Sequence, residues 1–268
     1  MNIFIREMKA NRKSMIIWGF GVLFMLASGM AKFSAYSSSS TPGQSMNALI
    51  DKFPKILKAI FGIGSFDLST AMGEFAVMFF YLVLMATIHA SMLGAGIISK
   101  EERDKTTEFL FVKPVSRNNV ITAKLLAALA NIAIFNVVTL IFSLAIVGKY
   151  ANIGEAIAAN MIKLMLGMFV LQLLYLTIGM GIAAVAKNPK SATGVATGVL
   201  LTTFMLSIIV EMSEKMSILR YLTPFEYFDA KNILNNSVEP VYFVLSVIII
   251  AFLIGFTYGG FRKRDLKV

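Results

Sequence analysis

The chain contains no cysteine and a single histidine in 268 residues. Without cysteine there is no disulfide framework and no thiolate metal site. One histidine cannot build the usual zinc centres either. Charge is also scarce. Asp, Glu, Lys and Arg make up 15% of the residues, against about 25% in an ordinary soluble domain. With 57% hydrophobic residues and a mean hydropathy of +0.75, the chain cannot cover a water-facing surface. No G-x-x-x-x-G-K-[ST] phosphate loop occurs, so it is not a conventional ATPase in its own right. What remains is an all-α, polytopic membrane protein.

Six apolar runs are long enough to cross a bilayer, which takes about 20 helical residues. They fall at 14–33, 74–98, 120–147, 158–186, 191–210 and 240–260. Residues 1–268 read as one transmembrane domain. The first run is too long for the apolar core of a signal peptide and fits a full span. Trp18 near its start suits the membrane interface. Ahead of it, Ile3, Phe4, Ile5 and Met8 are interleaved with Arg6, Lys9, Arg12 and Lys13. That segment is either a basic amphipathic helix on the headgroup surface or a tail that only sets topology.

Two longer connections, 34–73 and 211–239, lie on the opposite side. In the first, Met46, Leu49, Ile50, Phe53, Leu57, Ile60 and Phe61 recur at helical spacing, and Pro54 interrupts them. One or two amphipathic helices are expected there, on the interface or on the rim of the bundle. In the second, Thr223 and Pro224 start a helix predicted to run to about Leu234 and stop at Asn235-Asn236. Ser69 or Thr70 is the expected cap of span two, and Ser116 that of span three.

Charge sets the orientation. With six spans, both termini share one side. That side carries sixteen of the 25 basic residues and six of the 15 acids, a net charge of +10, while the other side nets zero. The positive-inside rule places the first side in the cytoplasm. The basic excess is therefore topological and calls for no nucleic acid.

Polar groups within spans are costly unless bonded across helices. His89, Asn131, Asn136 and Gln172 should therefore face protein, either meeting a substrate or joining helices, the commoner use. His89 is expected as a neutral imidazole bonded to a neighbouring helix. Gly179, Gly181 and Ala184 permit close approach by another helix. The GxxxG patterns at Gly194 and Gly198 and at Gly255 and Gly259 are weak signals, since they arise by chance in apolar helices.

Residues 99–117 form the longest charged segment. Glu101, Glu102, Asp104 and Glu108 alternate with Lys100, Arg103 and Lys105, which reads as a solvated, salt-bridged turn rather than a catalytic pair. Phe109, Leu110 and Phe111 follow. They either anchor a partner protein or dip into lipid.

Glu101-Glu102, Thr107, Glu108, Leu110 and Pro114-Val115-Ser116-Arg117, followed by Lys124, resemble the loop between spans two and three of ABC-2 type transporter permeases. The likeness extends to Leu219-Arg220-Tyr221-Leu222-Thr223-Pro224-Phe225-Glu226-Tyr227-Phe228, to the six-span layout and to the amphipathic N-terminus. It implies a permease subunit of an ATP-driven exporter, multi-pass in the cell membrane. It also implies a coupling helix within 99–117 that binds a separate cytoplasmic ABC ATPase. The contact residues would be Glu101, Glu102, Arg103, Lys105, Thr107, Glu108, Phe109, Leu110 and Arg117. Two permease chains, as a homodimer or heterodimer, would form the translocation path. No cofactor is expected in this chain, with ATP and magnesium on the partner ATPase. Many relatives carry glycine before the threonine, where this chain has Lys105-Thr106. The residues alone leave open an ATPase-independent protein: an embedded enzyme, or a secondary transporter using His89 or Glu74 for protons. Against the latter, the spans show no paired buried ions and no internal repeat.

Overall fold

The computed structural model describes residues 2–38, 44–63, 66–106, 116–150, 156–212 and 214–263. Among these residues there are helices and no strand. In chain order the α-helices are α1 (Ile3–Ser37), α2 (Gln44–Asp51), α3 (Lys55–Phe61), α4 (Ala71–Arg103), α5 (Arg117–Val147), α6 (Ile157–Val185), α7 (Ala192–Met212), α8 (Pro224–Tyr227), α9 (Ala230–Leu234) and α10 (Pro240–Lys263). Among the described residues, six of these (α1, α4, α5, α6, α7 and α10) are long and apolar enough to cross a membrane.

Helix α1 differs from expectation. Instead of a surface helix followed by a span, it is one uninterrupted helix of 35 residues. At 1.5 Å per residue it is about 52 Å long, well beyond the roughly 30 Å hydrocarbon core. Its sequence explains the continuity: no glycine or proline occurs between Asn2 and Trp18 to stop a helix. Asn2 opens it, its side chain accepting the Phe4 amide at 3.0 Å.

The other caps are local and lie where the sequence puts them. Thr70 Oγ1 accepts the Gly73 amide at 3.0 Å to start α4. Ser116 Oγ accepts the Asn119 amide at 3.2 Å to start α5. Pro54 separates α2 from α3, and Gly62 ends α3 at a left-handed φ of 62°. Helix α4 runs to Arg103, past the predicted span end at 98. It then stops on a Schellman-type turn. The Thr106 amide donates to the Glu101 carbonyl at 2.8 Å, and the Lys105 amide to the Glu102 carbonyl at 3.3 Å. Lys105 holds the left-handed position with φ 55°. The helix expected from Thr223 to Leu234 is two pieces. Asp229 is extended, and its side chain accepts the Lys231 amide, which caps α9 and breaks the run.

Helices α4 and α6 are the most buried of the six spans. They cross closely because glycine removes a side chain from each. Gly94 lies against the Leu176 carbonyl and Gly179 against the Ser91 carbonyl, so any Cβ there would collide with backbone. In lipid, such contact replaces the hydrophobic drive that packs soluble helices. Gly181 faces Leu253 and Phe256 of α10, and Ala184 meets Gly260. Around this pair, α1 packs on α5, α7 on α4, and α10 on α6. Gly194, Gly198, Gly255 and Gly259 face no neighbour among the described residues. Far from the termini, the Tyr36 hydroxyl at the end of α1 donates to Glu74 Oε2 at the start of α4, at 2.6 Å.

Candidate functional site

At the end of the bundle where α1 begins and α10 ends, the first turns of α1, the last turns of α4 and the start of α5 meet. Lys124, on the third turn of α5, is fully buried. Its ammonium donates to the Ile97 carbonyl and pairs with Glu101 Oε2. The other oxygen of Glu101 accepts from Arg6 Nη2 at 2.6 Å. The same Arg6 nitrogen reaches Glu7 Oε1 at 2.7 Å. Glu7 is itself fully buried, with Oε2 3.6 Å from Lys100 Nζ. Two carboxylates and three cations thus lock three helices in one register. Desolvation offsets most of the Coulomb gain of such a network, so it adds little net stability. Its effect is specificity of arrangement: removing one partner strands a charge.

The predicted contact residues divide into three groups. Glu101 and Arg117 point into the bundle. Glu101 is buried in the network rather than solvated. Arg117 Nη1 donates to the Arg262 carbonyl at 3.0 Å and the Phe261 carbonyl at 3.4 Å, satisfying acceptors at the end of α10. Glu102, Arg103 and Lys105 sit on the last turn of α4 and the turn that ends it. Arg103 Nε bonds Asp104 Oδ1 at 3.0 Å, and Arg103 and Lys105 are exposed. Thr107, Glu108, Phe109 and Leu110 lie outside the described residues.

The polar groups in the spans also separate. Asn136 Nδ2 donates to Gln172 Oε1 at 3.2 Å and to the Met165 carbonyl at 3.1 Å, joining α5 to α6. Asn131 Nδ2 turns back to the Ala127 carbonyl at 2.7 Å and touches Met8 Sδ. Among the described residues His89 Nδ1 has no hydrogen-bond partner, and the ring packs between Trp18 and Phe135, 5.5 and 4.9 Å away by ring centroids. Trp18 therefore serves the interior as well as the interface. At the other end of the molecule, the Tyr227 hydroxyl donates to the Tyr221 carbonyl, and its ring stacks on Tyr242 at 5.0 Å. Burial, then the neighbouring Asp229 and Glu211, pushes the Glu226 carboxyl from 4.5 up to about 7.

Sequence reading did not assemble Arg6, Glu7 and Lys124 into a site. A signal was present. Lys124 is a charge inside an apolar run, and such residues are functional hypotheses by default. Glu7 is the one acid among the four bases that precede the first span.

A family model described as ABC-2 family transporter protein matches residues 1–266. The chain belongs to this family. No curated protein matches the sequence significantly. As an ABC-2 permease, the chain is a membrane component of an ABC transporter, a class that generally works with an ABC ATPase. The buried network lies at the exact root of the segment whose motif carried the family resemblance.

Proposed function

We propose that this permease is the translocating subunit of an ATP-driven exporter, coupled through residues 99–117 to a separate ATPase and working as a dimer. Both termini and the coupling segment face the cytoplasm of the cell membrane, as the one-sided basic charge supports. The observation that carries the coupling is the Glu101 network. The segment leaves α4 one turn beyond Glu101, and Glu101 is tied to α1 through Arg6 and to α5 through Lys124. A push delivered to this segment therefore reaches three spans together. The exposed end of α4 offers both signs of charge for partner registration.

The test is recovery of a phosphate-loop ATPase on co-purification with this chain. Glu102→Lys with Glu108→Lys should abolish recovery while membrane insertion persists. Glu101 is left intact because reversing a buried charge would disturb the bundle itself. Full ATPase recovery with the doubly reversed chain would rule the coupling assignment out.

A further inference from the structure

Beside the network, a cleft of about 280 Å³ opens between α1 and α4 and reaches Thr193 at the start of α7. We infer that it is a binding site for an anionic amphiphile, with its head at Lys100 and Arg103 and its apolar part against Trp18 and Met92. That this ligand is cargo rests on the permease reading; that it binds does not.

Three observations carry the assignment. Asn11, Lys100 and Arg103 line the cleft toward the start of α1 and the end of α4, and Trp18, Met92 and Gly96 line it further along the two helices toward mid-span. Polar groups at one end and apolar groups at the other match an amphiphile. Second, the accessible charge is positive. Glu7 is the acid on the lining, but it is fully buried and its Oε1 is held by Arg6 at 2.7 Å. Lys100 Nζ is 3.6 Å from Glu7 Oε2, beyond a hydrogen bond. Arg103 spends Nε on Asp104, one of five guanidinium donors. On the lining itself a cationic head would meet Lys100 and Arg103, while the one carboxylate there, Glu7, is buried. Third, Gly96 lines the cleft, and a Cβ there would meet nothing within 4 Å.

Trp18 lines this cleft and is the sole tryptophan of the chain, so no other indole contributes to the emission. The purified chain in a neutral maltoside detergent is titrated with dodecyl phosphate, dodecyltrimethylammonium and inorganic phosphate. Dodecyl phosphate should give a saturable shift, and the other two none. Lys100→Gln with Arg103→Gln should weaken it roughly tenfold or more, the loss expected for charged hydrogen bonds. Gly96→Leu adds apolar bulk to the cleft at a position where a Cβ has open space and should weaken the response. An equal response to the ammonium, saturation by inorganic phosphate alone, or an unchanged response in either variant overturns the assignment. Nanodiscs of phosphatidylcholine with or without phosphatidylglycerol then separate the sources. Saturation by phosphatidylglycerol makes the membrane the supplier. A shift seen only with dodecyl phosphate makes the ligand a solute. Either result supports the site. No ATPase takes part, so ligand binding and ATPase recovery can each fail alone.

Discussion

Lys105 shows how one residue can carry a fold instruction that its type conceals. It occupies the left-handed position of the turn that ends α4, with φ 55°. Glycine takes that conformation freely, whereas an L side chain is disfavoured there by roughly 1–2 kcal/mol. Lys105→Gly should therefore stabilise the protein by about 1 kcal/mol. The check is a higher thermal midpoint together with slower exchange of the Thr106 amide, which donates to the Glu101 carbonyl. A lower midpoint would mean that the lysine side chain makes a compensating contact. The caps at Thr70 and Ser116 were legible in the sequence because each bond spans three residues. The turn at Lys105 was not, because no glycine marks it. Glu101 was misread as solvated for a different reason. Its partners lie 95 and 23 residues away, and no local pattern announces them.

Among the elements, the firmest tie is between α4 and α5 through Glu101 and Lys124. Lys124→Met should destabilise the protein by about 3–5 kcal/mol, because Glu101 loses a buried partner. Adding Glu101→Leu should restore most of that loss, since a buried ion pair and well-packed apolar groups are close in energy. Arg6 keeps Glu7 in the double variant. Thermal unfolding of Lys124→Met, Glu101→Leu and the double variant measures the coupling. A loss in the double equal to the sum of the two single losses would show that the pair acts on no shared interaction. Element boundaries were legible where breakers exist, as at Pro54. They were misjudged where continuation is silent, as in α1, or where an internal cap intervenes, as at Asp229.

For the whole molecule, the absence of cysteine provides a clean topological assay. Single cysteines replacing Lys187, in the turn between α6 and α7, and Asn235, after α9, lie at exposed positions on opposite ends of the bundle. In intact cells a membrane-impermeant maleimide should label Asn235→Cys at once, and Lys187→Cys only after permeabilisation. The reverse pattern would invert the orientation drawn from charge. The six spans and their class were legible because long apolar runs are a local signal of the bilayer. The pairing of α4 with α6 was only half legible. Glycines at 179 and 181 announced close contact, but not which helix would make it.

The unbroken length of α1 has a mechanical consequence. A rod of about 52 Å fixed to α4 at both ends cannot tilt against it. Near one end Arg6 grips Glu101, and at the other Tyr36 grips Glu74. The two helices therefore move as one beam, and a displacement of the Arg6 end is delivered to the Tyr36 end by stiffness alone.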